Sequence, residues 1–532
     1  MSNVKMYASS NSNEKILDEN DYLMIRCWRW FCFQAKHYRA VLISALVVGA
    51  LTYAFAFTNK LVNFDDVNAL FRKGASLTSG RWGLDYISWL FPDYSMPWIY
   101  GVIGIALVTA AACIVVSIFE IRHPLLQALM TGLMVSSPTV IGTSTYMFAF
   151  SSYMLSLLLA VIAVWLASKR NVLPKIAGIL ISVLSMSIYQ AYISLTAGLF
   201  VALLLFRLTV KGDSVGQVIK DGVLFLVHLI ATIAIYYGVL HLLLSVRDTT
   251  LNEYAEHMTD TESFGFLKRV KHTYTIFIEE ILHGSHGFIP AAMSRILHIV
   301  CFAGLGIEMA GWMIRCKNLP QILMSVVLII LLPPAVGAIV LIASSVHALV
   351  FFAFVTVYVL FCMVMDARFT SGMRSEALNC AVKNVLTVSM LLIIISNVYT
   401  ANKVFLRVYL SYENSYSFFT SLVTQIKTDP DFTEGTKLAL IGETDQYVYP
   451  FEEFTQDGYI VGTHGFDVND YSRNNFIRYY LGFDAEFASE DEVKELAETA
   501  EFENMNCYPY YGSMQKIGDC LVVKLGAADG QK

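Results

Sequence analysis

Charged residues are scarce in this chain of 532 residues: they make up 15% of it, whereas hydrophobic residues make up 56%. An average soluble protein carries about a quarter charged residues, so a wholly soluble fold is excluded. Basic residues are not in excess either, because 37 Lys and Arg stand against 43 Asp and Glu. Nucleic-acid binding requires a basic face, and we therefore expect no nucleic-acid partner.

Three kinds of sequence signal are also missing. There is no Gly-rich, phosphate-binding loop followed by Lys, which argues against a nucleotide site and against an ATP-driven pump. The first forty residues hold no short apolar core with a small-residue cleavage site, so we expect no removable signal peptide. No internal repeat is evident, which disfavours transporters built from duplicated halves.

What the chain has instead is long apolar runs. A helix of about twenty apolar residues crosses a hydrocarbon core of about 30 Å, and such runs predict a polytopic α-helical membrane protein. About eleven runs qualify, near 40–58, 97–119, 124–141, 147–167, 172–190, 191–208, 222–245, 291–314, 319–342, 346–365 and 384–398.

The placement of Lys and Arg in the short loops predicts the orientation. Cytoplasmic loops retain basic residues, and here every second connection carries them, whereas the turns near 142–146, 189–192 and 343–346 carry none. The pattern places the N-terminus in the cytoplasm. Because the number of spans is odd, it places the C-terminal part outside.

Three domains follow from these patterns. They are a cytoplasmic tail with an interfacial amphipathic helix, a transmembrane bundle with two long outer loops, and a small extracytoplasmic α/β domain. Their bounds are 1–39 for the tail, 40–398 for the bundle with loops 59–96 and 246–290, and 399–532 for the α/β domain.

The α/β domain is predicted from strand-like runs at 438–441 and 521–525 and from helical segments at 411–427 and 490–500. It also contains Cys507 and Cys520. These either form a disulfide in an oxidising compartment or remain as two buried thiols in neighbouring strands. The sequence leaves both alternatives open.

The first long loop carries the strongest candidate chemistry. Asp65 and Asp66 are adjacent, and Arg81 and Trp82 follow in the same loop. A carboxylate can take a proton from a hydroxyl group or hold a divalent cation, and a guanidinium can bind a phosphate through two hydrogen bonds. The alternative for the two aspartates is that they only cap a helix, and the alternative for Arg81 is that it anchors the loop at the membrane interface. The combination favours chemistry on a phosphate-bearing lipid at the membrane surface.

Other candidates lie in the turn at 189–192 and in the second long loop. Tyr189 and Gln190 could bind a sugar or join helices. The basic residues of the second loop are reserve candidates for phosphate binding, or else a solvated face: Lys268, Arg269 and Lys271. A weaker metal-site candidate, set against ordinary exposed histidines, comprises Glu279, Glu280, His283 and His286.

Several short motifs, in order along nearly the whole chain, resemble the Gtr type II glucosyltransferases of the GT-C superfamily. They are Asn63–Asp66, Ser79-Gly80-Arg81-Trp82, Ile188-Tyr189-Gln190-Ala191-Tyr192, and Tyr508-Pro509 with Val522-Val523-Lys524-Leu525. Each motif is weak alone. Their order and the matching topology make the resemblance more specific.

The resemblance implies an activity and its partners. The donor would be a sugar on a polyprenyl phosphate, usually glucose on undecaprenyl phosphate, and the acceptor a cell-surface polysaccharide such as O-antigen or a lipid-linked glycan. The reaction would take place at the outer face of a bacterial inner membrane. An essential acidic residue of the first outer loop maps onto Asp66 or Asp65, with Asp66 preferred as base and Asp65 orienting it or binding Mg or Mn. Trp82 would join Tyr189 and Gln190 in sugar binding.

Two other functions compete with this one. A polysaccharide polymerase or ligase would share the membrane, the lipid-linked sugar and the outer-face chemistry. A flippase or transporter would place polar groups near the bilayer midplane, where this chain has few, chiefly His228, Glu308 and His347. The acidic pair lies at the predicted outer rim instead, which favours an enzyme.

Overall fold

The computed structural model describes residues 22–61, 63–70, 76–87, 89–91, 94–252, 265–282, 291–343, 348–368, 375–443 and 468–526. Up to Thr428 the described residues are almost entirely helical. The α-helices are α1 Leu23–His37, α2 Arg39–Thr58, α3 Phe64–Asn68, α4 Trp82–Ile87, α5 Pro97–Phe119, α6 Pro124–Val135, α7 Pro138–Ser144, α8 Met147–Ala167, α9 Val172–Ile188, α10 Ile193–Phe206, α11 Val215–Val246, α12 Phe266–Leu282, α13 Ala291–Cys316, α14 Leu319–Val336, α15 Ala338–Ile342, α16 Val355–Ala367 and α17 Glu376–Thr428.

Within these residues, nine helices are long and apolar enough to cross a membrane. The pair α6 and α7, bent by 42°, would be a tenth span if the two count as one. The one remaining predicted segment, 172–190, corresponds to α9, an apolar helix of 17 residues. The protein is therefore a polytopic helical membrane protein, as the sequence predicts, and the exact number of spans stays a prediction.

The centre of the bundle is formed by two helical segments. In the 18-residue apolar stretch of Met147–Ala167, 72% is buried inside the protein. The value for Gln190–Lys211, which contains α10, is 83%. The corresponding value for Val215–Val246 is 28%, which leaves most of its apolar surface to face lipid. Both central segments begin at the same end of the bundle, close to α3. We call this the site end.

The last long helix, α17, runs for 53 residues without a break. It passes through residue 398, where the sequence analysis ended the transmembrane bundle, and includes the helix predicted separately at 411–427. A helix of that length spans about 80 Å at 1.5 Å per residue. It therefore crosses the apolar bundle and also supplies the apolar face on which the following residues fold.

Residues 429–443 and 468–526 pack on the end of α17; we call them, with the last turns of α17, the C-terminal unit. They form a three-stranded sheet in the order β1-β3-β2, in which β1 and β3 are parallel and β2 and β3 are antiparallel. Its elements are β1 Lys437–Ile441, α18 Arg473–Tyr479, α19 Glu490–Ala497, α20 Ala500–Asn504, β2 Met514–Ile517 and β3 Cys520–Lys524.

The C-terminal unit contains both predicted strands and, in α19, the predicted second helix. Its two cysteines are free thiols: Cys520 is buried in β3 and Cys507 is partly buried. The disulfide alternative is therefore wrong for this structure. The adjacent hydrophobic residues of β3, Leu521, Val522 and Val523, are all fully buried, so the sheet is held by packing on both of its faces.

Candidate active site

The short helix α3 brings the acidic pair to the site end of the bundle. Asn63 begins it as an N-cap, because its side-chain oxygen accepts a hydrogen bond from the backbone N–H of Asp65 at 2.9 Å. Acidic residues in the first turn are favoured by the helix dipole. The capping alternative weighed for this pair thus describes the backbone correctly, yet it leaves both carboxylates available for other contacts.

Asp66 is fully buried and satisfied on both oxygens. Its Oδ1 accepts a hydrogen bond from the N–H of Phe148 at 3.0 Å, in the first turn of α8. Its Oδ2 lies 2.5 Å from Nζ of Lys60 and accepts a hydrogen bond from the hydroxyl of Ser95 at 2.6 Å. The carboxylate therefore anchors the loop to the bundle. A group so fully engaged is poorly placed to accept a proton from a substrate.

Asp65, its neighbour, has a different environment. It is partly exposed, and its carboxylate makes no hydrogen bond to another described residue. Burial raises the pKa of Asp65, the charge of Arg81 opposes this shift, and the charge of Asp66 adds to it. A carboxylate with a raised pKa and an open side is a better proton acceptor than a fully engaged one.

The turn before α4 is shaped to present Arg81. Gly80 has a φ of +75°, a left-handed conformation that glycine adopts without cost. A Cβ at this position would lie 2.8 Å from Nε2 of Gln190 and 2.9 Å from the hydroxyl of Tyr236. Tyr236 donates to the carbonyl of Gly80 at 2.7 Å, and Gln190 donates to the carbonyl of Ser79 at 3.3 Å. Two helices thus hold this turn.

The guanidinium of Arg81 lies among tyrosines. Its Nη1 donates to the hydroxyl of Tyr153 at 2.9 Å. The guanidinium carbon is 5.8 Å from the ring centre of Tyr153 and 5.6 Å from that of Tyr189. The two rings are stacked at 4.2 Å. Such cation–π contacts position the guanidinium and leave its positive charge in place.

The buried polar atoms of this region without a hydrogen-bond partner within the described part of the chain include Nε1 of Trp82 and the hydroxyls of Tyr192 and Tyr480. An unpaired buried polar group costs about 1–3 kcal/mol. Proteins tolerate such groups where a ligand satisfies them. The side chains of Trp82 and Tyr192 flank the turn and the tyrosine cluster around Arg81, so this region is a candidate binding site.

The structure brings together the predicted residues Asp65, Asp66, Arg81, Trp82 and Tyr189 at the site end. Gln190 also lies there, but it acts on the protein itself. Its amide donates to the hydroxyl of Tyr236 at 3.0 Å and to the carbonyl of Ser79. These contacts fit the helix-joining alternative better than direct sugar binding.

The second-loop candidates lie on another element, α12, which packs on α13, α14 and α15. Lys268 and Lys271 are exposed there, whereas Arg269 is buried and donates to the carbonyl of Leu341 at 3.1 Å. Their role in phosphate binding stays a prediction.

The weaker metal-site candidate falls partly outside the structure. Glu279 is exposed at the end of α12, and His283, His286 and the side chain of Glu280 lie outside the described residues. Among the residues described, no group of three His, Cys, Asp or Glu side chains could hold a metal ion.

Sequence reasoning missed four groups of this site: Lys60, Ser95, Tyr153 and Tyr236. Only Lys60 carried a usable signal, because a lysine six residues from an aspartate at a membrane rim suggests an ion pair. Ser95 meets Asp66 from 29 positions away, and Tyr153 meets Arg81 from 72 positions away. Nothing in the local pattern distinguishes these from ordinary residues of an apolar bundle.

Comparison with known proteins adds one finding. The family model described as Glucosyl transferase GtrII matches residues 54–365. No curated protein and no solved structure matches the chain. The matched range contains α3, the turn at Gly80, Arg81 and the tyrosine cluster, and it covers more than half of the chain. The chain therefore belongs to the GtrII glucosyl transferase family, and the protein is a membrane glycosyltransferase.

Proposed function

We propose that this enzyme transfers glucose from a polyprenyl-phosphate donor to a hydroxyl group of a cell-surface polysaccharide or lipid-linked glycan. The reaction takes place at the outer face of a bacterial inner membrane, with Asp65 as general base. One observation carries the proposal. At one end of an apolar bundle, an incompletely engaged carboxylate of raised pKa lies within the electrostatic influence of an arginine held by aromatic rings.

The chemistry needs two kinds of group. The acceptor oxygen forms a bond to the anomeric carbon while the bond from that carbon to the phosphate oxygen breaks. Asp65 takes the acceptor's proton, and the polyprenyl phosphate leaves with the electron pair. Displacement from the opposite face inverts the configuration at the anomeric carbon. A positive group must stabilise the growing phosphate charge, and Arg81 is the group we assign to it.

For the acidic pair we propose the opposite assignment to the one that the sequence favours. Asp66, the preferred base from sequence, is engaged by Lys60, Ser95 and Phe148. We assign it to positioning α3. Asp65 then has the role of base.

A divalent cation, if the reaction uses one, would bind Asp65 together with oxygens of the donor phosphate. Both oxygens of Asp66 are already occupied. Mg or Mn dependence is therefore a second question, separable from the identity of the base.

The donor class is tested with the purified full-length protein in detergent. Radiolabelled glucose is offered on a polyprenyl phosphate and, in parallel, on a nucleotide diphosphate, with a bacterial polysaccharide as acceptor. We expect transfer from the lipid-linked donor, with inversion at the anomeric carbon detected by NMR. Transfer from the nucleotide sugar alone would overturn the proposal.

The orientation is tested with a membrane-impermeant thiol reagent in intact cells. The long helix α17 places Cys380, which is exposed, near one end and the C-terminal unit at the other. A Tyr511→Cys variant introduces a thiol at a position that is 99% exposed. We expect labelling of the variant in intact cells and protection of Cys380 until the membrane is opened. The reverse pattern would place the site in the cytoplasm.

A further inference from the structure

The helix that carries the acidic pair is in contact with two bodies. Asp66 points to the bundle, as described above. The next residue, Val67, is fully buried in the hydrophobic core of the C-terminal unit, in a cluster with Phe419, Leu422 and Phe476. Successive residues of α3 thus belong to different cores. This short helix is the joint between the membrane part and the C-terminal unit.

Hydrogen bonds reinforce the joint at Asn68. Its Oδ1 accepts a hydrogen bond from the side-chain amide of Asn475, in α18, at 2.7 Å. Its own amide donates to the backbone carbonyl of Tyr471 at 3.2 Å. Asn68 thus uses both ends of its side chain on the segment around α18. It lies three residues after Asp65, which is close to one helical turn.

A third contact brings the C-terminal unit close to the acidic pair. The phenol of Tyr480, which follows α18, is buried, and its pKa is raised first by that burial and then by the negative charge of Asp66. The ring of Tyr480 is stacked on that of Phe476 at 4.9 Å. Side chains of α18 and the residue after it therefore pack close to α3.

A helix of five residues cannot fix its own orientation. Isolated helices shorter than about 12–15 residues are marginal in water, so the position of α3 is set by whatever packs on it. The bundle holds it at Asp66, and the C-terminal unit holds it at Val67 and Asn68. Both sets of contacts bear on the rotation of the helix, on which the direction of Asp65 depends.

We propose that the C-terminal unit is a working part of the glucosyltransferase site, in which Asn475 is a positioning residue that sets the direction of Asp65 through Asn68. This inference rests on the proposed function, because it takes Asp65 as the base. It concerns residues beyond the family match, which ends at 365. A base displaced by about 1 Å loses rate far more than binding.

The test uses the full chain with Asn475→Ala, Asn68→Ala and the double variant. Asn506→Ala is the matched control, because Asn506 also donates a side-chain hydrogen bond within the C-terminal unit, to the carbonyl of Tyr511 at 2.7 Å. We expect kcat to fall about tenfold in each single variant, the equivalent of about one hydrogen bond. KM for the lipid-linked donor and the thermal unfolding midpoint should match those of Asn506→Ala.

The double variant should fall no further than Asn68→Ala alone, because Asn475→Ala removes only a hydrogen bond that Asn68→Ala already removes. Wild-type kcat in both single variants would overturn the inference, and so would an equal loss in Asn506→Ala. Asp65→Asn, measured beside them, separates the two proposals. Full transfer by Asp65→Asn removes the proposed base, whereas an inactive Asp65→Asn with active Asn475→Ala and Asn68→Ala removes only the positioning role.

Discussion

Two charged clusters lie at opposite ends of the bundle, and they are built differently. At the end opposite the site, Arg207 forms an ion pair with Asp221 and donates to the carbonyl of Ser168 at 2.9 Å. The second oxygen of Asp221 accepts from Gln217 at 3.1 Å. At the site end, Asp66 and Lys60 form a similar closed pair. Next to them, however, lie Asp65 and Arg81, and the charge of Arg81 lowers the pKa of Asp65 against the effect of burial.

The difference supports the proposal that a reactive site lies beside Asp66, whereas the pair at Asp221 is structural. Around Asp221 both carboxylate oxygens have partners. Around Arg81 there are buried donors without partners in the described chain, on Trp82 and Tyr192. A buried ion pair is compensated by close, well-aligned partners. An arrangement that is satisfied only in part becomes complete when a ligand supplies the missing acceptors.

The largest expected effect is that of Asp65→Asn. Removal of a general base slows a reaction by about 10²–10⁴-fold, and we expect a loss in that range in kcat. The protein should unfold at nearly the wild-type temperature, because this carboxylate anchors nothing among the described residues. Glucose transfer and thermal unfolding, measured on the same detergent preparation, check both halves. A large loss of stability would show that Asp65, like Asp66 and Asp221, has a structural role.

The second prediction compares Asp66→Asn with Asp221→Asn. Each breaks a buried ion pair and should lower the free energy of unfolding by about 3 kcal/mol, the lower end of the range for such pairs, because Lys60 and Arg207 keep some solvent access. Only Asp66→Asn should also reduce kcat, since it releases α3.

The measurement for this pair is denaturant unfolding together with the transfer rate of the folded fraction. Equal loss of kcat in both variants would show that the two ends of the bundle do not differ in function.

The third prediction concerns the charge of Arg81 and the pH profile. The base must be ionised, so kcat/KM falls as the pH falls through the pKa of Asp65, which burial raises above the usual value of about 3.9. Arg81 opposes that shift. In Arg81→Gln, the fall of kcat/KM on the acidic side of the pH profile (its acidic limb) therefore moves to higher pH. The maximal rate also falls by about 10²-fold, because the leaving phosphate loses a stabilising charge.

Arg81→Lys is the control for this prediction. It keeps the positive charge but loses the two-point contact, so its acidic limb should stay near that of the wild type while its rate falls. An unmoved limb in Arg81→Gln would show that the base revealed by the profile is not Asp65.

The sequence was sufficient for features that depend on local composition. Eleven apolar segments coincide with helices, and the strands near 438–441 and 521–525 are present. The loop that holds the acidic pair and Arg81 also stands out in the sequence, because ionisable residues follow an apolar run there; its function stays a prediction. The ends of helices were harder to predict. Residue 398, where we predicted the end of the bundle, lies within α17, because a more polar stretch continues the helix into the C-terminal unit.

The roles that we propose for Asp65 and Asp66 could not be predicted from the sequence. They depend on contacts with Ser95 and Phe148, which lie 29 and 82 positions away. The same holds for Asn68 and Asn475, which are 407 positions apart. Two adjacent aspartates have nearly identical local patterns, and only the packing around them distinguishes Asp66, with both oxygens engaged, from Asp65, whose carboxylate has no hydrogen bond among the described residues.

The smallest expected effect is that of Tyr192→Phe. This variant tests most directly whether buried polar groups without a described partner at the site differ in function from those elsewhere in the bundle. The side chain of Tyr192 is 1% exposed, and its hydroxyl has no partner in the described chain. If that hydroxyl serves the protein alone, its removal relieves an unpaired polar group and changes nothing else. If it binds the sugar or phosphate, kcat/KM falls about tenfold, the worth of about one hydrogen bond, while the unfolding midpoint stays equal or rises. Thr232→Val, which removes another buried hydroxyl without a partner in the described residues, is the control and should leave kcat/KM unchanged. Equal kinetics for the two variants would remove the distinction between the unpaired donors of the site and those of the bundle.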